Sequence, residues 1–146
     1  MKIVIDREKL KTIQDQKIIE KKHTILLVDD EPANIEALTM ILEDKYNIIQ
    51  AYTGNEALAL IKSEENPARI NLIISDQRMP GMSGVEFLKQ TIPIIPRTIR
   101  MILTGFTDIN DIIDSINEGK VYKFLTKPIE PKDLLISIQR ALEAYE

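Results

Sequence analysis

Five short apolar segments alternate along most of this chain with segments whose apolar residues recur at helical spacing. Short segments rich in isoleucine, leucine and valine are typical of strands that are buried on both faces. The alternation predicts five β–α units, which fold as a doubly wound α/β sheet of parallel strands with helices on both faces. We predict strands at Thr24–Val28, Tyr46–Tyr52, Ile70–Ser75, Thr98–Leu103 and Tyr122–Thr126.

Residues that favour the start of a helix follow each predicted strand. Proline suits the first helical turn, and a serine or threonine side chain can accept a backbone hydrogen bond there. Ser83 with Glu86 three residues later has the pattern of a capping box. The segment Glu64–Arg69 is polar and contains a proline, so we predict a loop. The predicted helices begin at Pro32, Thr53, Ser83, Thr107 and Pro131, with the first extending to about Asp44 and the fourth to Gly119.

The composition excludes several kinds of site. The 146 residues contain no cysteine, which excludes disulfides, thiolate catalysis and cysteine-ligated metals. His23 is the single histidine, which argues against a histidine-rich metal site and a Ser-His-Asp triad. No apolar run approaches the roughly 18 residues that cross a membrane, and the N-terminus lacks the apolar core of a signal peptide. We therefore expect a cytoplasmic protein with no membrane partner.

The formal net charge of −4 is unevenly distributed. Residues 1–22 carry an excess of three positive charges, whereas residues 23–146 carry an excess of seven negative charges. We interpret residues 1–22 as a basic N-terminal arm, either solvated or forming a helix against a partner. Residues 23–146 form the predicted folded domain, whose acidity argues against direct nucleic-acid binding.

The carboxyl ends of the predicted parallel strands bring polar residues to one edge of the sheet, where open α/β sheets bind ligands. Asp76 follows the third strand and precedes a turn at Met79-Pro80-Gly81. Two acids follow the first strand, a threonine the fourth and a lysine the fifth. Taken singly, each residue has an ordinary role as a cap, a turn residue or a surface charge. Together we interpret them as one site, formed by Asp29, Asp30, Asp76, Thr104 and Lys127.

The chemistry of this set is that of a phosphoryl-transfer site. Three close carboxylates repel one another unless a cation offsets their charge. Oxygen ligands without histidine or cysteine favour Mg²⁺ over zinc. A metal ion, a carboxylate nucleophile and a lysine can together stabilise an in-line displacement at phosphorus, and a hydroxyl can donate to the same anion.

Four motifs carry a family resemblance: Ile25–Pro32, Ser75–Gly84, Leu103-Thr104-Gly105 and Phe124–Pro128. With these motifs the chain resembles the receiver domain of two-component response regulators, the superfamily of the chemotaxis regulators. The resemblance covers roughly residues 23–146, and the motifs are specific in combination although each is weak alone. It implies a flavodoxin-like (βα)5 fold with strand order 2-1-3-4-5.

The resemblance also implies roles for the acids. Asp76 matches the aspartate that takes a phosphoryl group from the phosphohistidine of a histidine kinase. Asp30 and Asp76 match the carboxylate ligands of Mg²⁺, and Asp29 matches the acid that holds the metal, commonly through water. The backbone carbonyl of Arg78 matches the remaining protein ligand. Arg78 also falls at a position that varies in the family and influences the lifetime of the phosphoryl group, as does Phe106.

Further residues match the part of the family that responds to phosphorylation. Lys127 matches the lysine that pairs with the phosphoryl group, and its bond to Pro128 is typically cis in the family. The switch residues implied by the resemblance are the hydroxyl of Thr104, the small Gly105 and the aromatic Phe124, for which Tyr122 is an alternative.

The implied partners are a sensor histidine kinase or a phosphotransfer protein. A homodimer could form through the face made by the fourth predicted helix, the fifth strand and the fifth predicted helix. Receivers that precede HD-type cyclic-di-GMP phosphodiesterase or regulatory output domains have residues similar to those of Ser75–Pro80 and Tyr122–Pro128. The chain could therefore be part of a longer protein.

Two other functions fit parts of the pattern. A phosphatase with an aspartyl nucleophile usually has a second acid two residues after the nucleophile, where this chain has Arg78. A degenerate receiver used only for interactions would not need the complete acidic and basic set. We therefore predict a phospho-accepting signalling domain, with no enzyme activity beyond its own phosphorylation and dephosphorylation.

Overall fold

The computed structural model describes residues 21–105, Ile113 and residues 117–145 of the chain. Its centre is a sheet of five parallel strands in the order β2-β1-β3-β4-β5, which confirms the predicted fold class and strand order. The strands are β1 (Thr24–Val28), β2 (Asn47–Ala51), β3 (Ile70–Asp76), β4 (Ile99–Gly105) and β5 (Lys123–Lys127).

Four helices are described, and each begins at its predicted start or one residue after it. The Thr53 and Ser83 side chains accept hydrogen bonds from the third backbone N–H after them, those of Glu56 and Glu86. The predicted loop at Glu64–Arg69 contains a 3-10 turn at Pro67–Arg69, because proline there fixes a helical φ. The helices are α1 (Pro32–Leu42), α2 (Gly54–Ser63), α3 (Gly84–Thr91) and α4 (Pro131–Tyr145).

Two predicted segments lie outside what the structure describes. Of the arm, only the last two residues are described, and of the fourth predicted helix only Ile113 and residues 117–119. Within the described ranges, no helix combines the length and the apolarity that crossing a membrane requires.

The strands are buried on both faces because successive side chains point to opposite sides of the sheet. Leu26 and Val28 of β1 pack with α2 and α3, whereas Ile25 and Leu27 pack with α1 and α4. Strands β3 and β4 alternate in the same way. Each fully buried side chain of this size contributes roughly 1.5–3 kcal/mol. The two apolar layers therefore hold the central strands in place and fix where their carboxyl ends lie.

Three strands continue further than predicted, so the site residues belong to the ladders rather than to the loops after them. Asp76 pairs with Leu103, and Thr104 pairs with Thr126. Gly105 pairs with Lys127. The apolar runs end earlier, but backbone pairing does not depend on an apolar side chain.

A buried arginine ties the start of β4 to the end of α3. The Arg100 side chain is 3% exposed. Its Nε donates to Thr91 Oγ1 at 2.9 Å, its Nη1 to the Thr98 carbonyl at 2.7 Å, and its Nη2 to the Ile95 carbonyl at 2.6 Å. Burial lowers the pKa of this guanidinium. These bonds fix the connection between α3 and β4 at the edge of the sheet opposite the acids.

The turn from β3 to α3 is closed tightly behind Asp76. Gln77 accepts two hydrogen bonds at 3.0 Å, through its carbonyl from Gly84 N and through its Oε1 from Val85 N. A Cβ added to Gly84 would overlap the backbone carbonyl oxygen of Asp76. Only glycine therefore allows α3 to begin so close to the end of β3.

Replacing Gly84 with alanine should lower the free energy of unfolding by about 1–3 kcal/mol, because a backbone carbonyl must move to admit the methyl group. The matched control is Gly119→Ala, whose added Cβ would meet its nearest neighbour at an ordinary 3.4 Å. Chemical denaturation measures both. Equal stability of the two variants would contradict the packing argument.

Candidate functional site

Three carboxylates meet at the carboxyl ends of β1 and β3, as predicted. Asp29 and Asp30 follow β1, and Asp76 ends β3. The two strands are neighbours in the sheet, and one carboxylate oxygen from each residue lies within 4.8 Å of the others. Asp29 is 1% exposed and Asp76 is 6% exposed, whereas Asp30 is half-buried. The structure therefore gathers a crowded acidic cluster that is largely removed from water.

Lys127 reaches this cluster from β5, across the end of β4. Its Nζ lies 2.8 Å from Asp76 Oδ1 and 3.9 Å from Asp29 Oδ2. The shorter distance is that of a charge-assisted hydrogen bond, whereas the longer one exceeds hydrogen-bond range. Lys127 is thus paired with Asp76.

The Asp29 carboxylate is held by two further donors. Its Oδ1 accepts from the backbone N–H of Glu31 at 3.0 Å, and its Oδ2 accepts from Asn34 Nδ2 at 3.2 Å. Asn34 was not among the residues predicted from the sequence. The available signal was an amide side chain in the first turn of the helix that follows the two acids.

The cluster contains more acidic side chains than basic ones, and this imbalance affects the pKa values of Asp76 and Lys127. Burial raises the pKa of Asp76, the hydrogen bond from Lys127 opposes that shift, and the charges of Asp29 and Asp30 add to it. Burial alone would lower the pKa of Lys127, but the hydrogen bond to Asp76 and the nearby acidic charges together raise it. Lys127 therefore stays protonated, while the negative charge on the buried Asp76 carboxylate is unfavourable.

A divalent cation fits this donor set. Asp29, Asp30 and Asp76 offer carboxylate oxygens, which are the ligands that hard cations prefer, and their spacing allows them to share one ion. The cluster opposes three carboxylates with one ammonium group, so a bound cation would also relieve their repulsion.

The residues predicted for the switch lie beside the acids on β4 and β5. Thr104 is buried, and its Oγ1 donates to the Gly105 carbonyl at 3.4 Å. Phe124 is half-buried and packs against the apolar layer of α2 and α3, whereas Tyr122 is 50% exposed. Burial against that layer favours Phe124 over Tyr122 as the aromatic that could change position.

Two more of the predicted residues, Pro128 and Arg78, also lie near this edge. The Lys127–Pro128 peptide bond is cis, in agreement with the resemblance. Arg78 is exposed and lies two residues after Asp76 in the β3–α3 turn. Phe106 lies outside the described residues.

The raised pKa of Asp76 predicts a pH-dependent gain in stability for Asp76→Asn. A raised pKa means that the folded protein binds this proton more tightly than the unfolded chain. Ionisation of Asp76 therefore costs folding free energy above the folded-state pKa, and this cost decreases as the pH falls below that pKa and is absent below the pKa of the unfolded chain. In metal-free buffer, Asp76→Asn should be more stable than the wild type at neutral pH, and the difference should shrink on acidification.

Denaturation at neutral and acidic pH measures this difference. The control is Asp44→Asn, a change of the same kind at an exposed position just after α1. A constant advantage of Asp76→Asn across the pH range would contradict the assignment.

The chain is similar to known proteins in sequence and in fold. The family model described as the response regulator receiver domain matches residues 25–139. The hydrogenase transcriptional regulatory protein HoxA of Cupriavidus necator is 36% identical over 125 residues, which are 86% of this chain and 25% of HoxA. The chain thus spans about a quarter of the length of HoxA, both in that organism and in Bradyrhizobium diazoefficiens.

Solved structures of receiver domains are also similar to this chain. A response regulator receiver domain protein from Clostridium thermocellum has a TM-score of 0.76 at 32% identity and covers 84% of this chain and 95% of its own. The signal receiver domain of an HD domain-containing protein from Pseudomonas fluorescens has a TM-score of 0.77 at 33% identity, covering 86% and 90%. With the acids, lysine and threonine at the predicted strand ends, these matches show that the chain belongs to the response regulator receiver domain family.

Proposed function

We propose that Asp76 accepts a phosphoryl group from the phosphohistidine of a sensor histidine kinase or a phosphotransfer protein. The observation that carries the proposal is the pairing of the buried Asp76 carboxylate with Lys127 at 2.8 Å, inside a cluster that contains two more acids. In this proposal a carboxylate oxygen of Asp76 forms the new bond to phosphorus, and the bond from phosphorus to the histidine nitrogen breaks.

The surrounding side chains would prepare that transfer. Lys127 would pair with the negative oxygens of the transferred group, because it already lies beside the accepting carboxylate. The Thr104 hydroxyl would donate a hydrogen bond to the same oxygens. The buried position of Asp76 limits water access and strengthens each of these electrostatic interactions.

Mg²⁺ is the proposed cation. Asp29, Asp30 and Asp76 would hold it together with the backbone carbonyl of Arg78, and oxygen donors of this kind suit Mg²⁺. When bound, Mg²⁺ supplies positive charge that offsets the phosphoryl oxygens.

The proposed output of the site is a change in the surface formed by β5 and its neighbours. Thr104, moving toward a phosphoryl group on Asp76, would vacate space behind β4 that Phe124 could fill, with Gly105 leaving room beside it. The half-buried position of Phe124 against the apolar layer supports this movement. The affected face would include α4, where a kinase, an output domain or a second copy of the chain would bind.

The proposed downstream role is regulatory rather than catalytic. The relatives include a transcriptional regulator and the receiver of an HD domain-containing protein, so an output of either kind is compatible with this domain. The phosphatase alternative is disfavoured because Arg78 occupies the place of the second acid. The interaction-only alternative is disfavoured because the acids and Lys127 are assembled around one point.

Incubation with acetyl phosphate and Mg²⁺ should add one phosphoryl mass to the wild-type chain and none to Asp76→Asn, because asparagine lacks the nucleophilic carboxylate. Intact-mass spectrometry measures the product. Asp44→Asn is the matched control and should be phosphorylated like the wild type. Phosphorylation of Asp76→Asn at the wild-type rate would refute the assignment of the acceptor.

Removing the Thr104 hydroxyl should weaken the response without preventing phosphorylation, since a ligand shifts an equilibrium only through its differential contacts with the two states. Hydrogen exchange of peptides from β5 and α4, before and after phosphorylation, measures the response. It should change in the wild type and in the control Thr126→Ala, and change much less in Thr104→Ala. An unchanged response in phosphorylated Thr104→Ala would rule out this route.

A further inference from the structure

Asn34 is a polar side chain of α1 to which neither the family resemblance nor the proposed function gives a role. It is half-buried in the first turn of the helix. Its Nδ2 donates to Asp29 Oδ2 at 3.2 Å and lies 3.5 Å from Glu31 Oε2. The amide group therefore sits between two carboxylates, one of which belongs to the acidic cluster.

The contacts of Asp29 show what this amide does. Asp29 Oδ1 is fixed by the backbone N–H of Glu31 at 3.0 Å. Asp29 Oδ2 lies between Asn34 and Lys127, whose Nζ is 3.9 Å away and too distant for a hydrogen bond. The Asn34 amide thus supplies the side-chain hydrogen bond to Oδ2, and the lysine bonds to Asp76 instead.

We propose that Asn34 is a positioning residue that holds the Asp29 carboxylate toward the cation and keeps it from forming a hydrogen bond with Lys127. The proposal rests on the proposed function, because it concerns the same metal site. Without the amide, Asp29 Oδ2 would be drawn to the ammonium group. The cation would then lose one of its carboxylate ligands, and Lys127 would be shared between Asp29 and Asp76.

A neutral amide suits this task better than a second cation. An arginine or lysine at position 34 would bring a positive charge against Asp29 and compete with a bound metal ion. The amide donates a hydrogen bond without that charge. Residues that orient metal ligands in this way typically change metal affinity by about 10- to 100-fold when they are removed.

The surroundings of Asn34 allow a clean test of this role. Asn34 borders a cavity of about 270 Å³ whose wall continues over the apolar side chains of Ala37, Leu38, Ile41 and Ile129. A leucine at position 34 would have apolar neighbours on that side, so Asn34→Leu should remain folded. Asn34→Ala provides a second variant that removes the amide without adding bulk.

The experiment is a Mg²⁺ titration of the metal-free full chain, followed by amide chemical shifts and without any phosphoryl donor. We expect Asn34→Leu and Asn34→Ala to bind Mg²⁺ about tenfold more weakly than the wild type. Asn55→Leu is the matched control, because it makes the same change in the first turn of α2 at an exposed position, and it should bind like the wild type.

A second measurement separates positioning from structure. The Mg²⁺ concentration that half-saturates phosphorylation by acetyl phosphate should rise about tenfold in both Asn34 variants, while the rate at saturating Mg²⁺ should approach that of the wild type. Thermal melts without Mg²⁺ confirm that the variants are folded. A purely structural role would instead change the melts and leave the Mg²⁺ affinity unaltered.

Two results would overturn the inference. One is equal Mg²⁺ affinity in the wild type and in both folded Asn34 variants. The other is an equal loss of affinity in Asn55→Leu. Failure of the proposed function looks different: a wild-type chain that binds Mg²⁺ but is never phosphorylated would refute Asp76 as acceptor, whereas the effect of Asn34 on binding would still be measured.

Discussion

The repulsion among three carboxylates, relieved by one lysine, is the constraint on which the site depends. Asp29, Asp30 and Asp76 lie close enough to share an ion, and Lys127 forms a short hydrogen bond with only one of them. Such a cluster is costly in a medium of low dielectric constant. It is tolerated because the rest of the domain fixes its members in place, and the excess negative charge leaves it prepared to receive a cation.

The packing of the sheet resists displacement of its central strands, which carry the acids. Side chains of β1, β3 and β4 enter an apolar layer on each face, so a strand cannot slide or rotate without exposing part of the core. The acids extend from the ends of β1 and β3, which are neighbours in the sheet. Close packing of Gly84 against the Asp76 carbonyl then sets the start of α3 directly behind the acidic site.

Much of this arrangement could be predicted from the sequence, because alternating apolar segments and helix caps are local signals. The strand ends were harder to predict from the sequence. Thr104 and Lys127 remain in the ladder because backbone pairing continues after the apolar run stops. The contact between Asn34 and Asp29 was not predicted at all. It depends on the path of the turn between β1 and α1, and no periodic pattern describes that path.

The hydrogen bonds of Arg100 give strand β4 two unlike ends. At its start, the guanidinium is bonded to Thr91 Oγ1 and to two loop carbonyls, and these bonds lie in a buried environment where breaking them is expensive. At its other end, the side-chain hydroxyl of Thr104 donates one long hydrogen bond, to the Gly105 carbonyl at 3.4 Å. The start of β4 is therefore held by side-chain bonds that are costly to break, whereas a rotation of the Thr104 side chain would break one weak bond and would leave the connection to α3 in place.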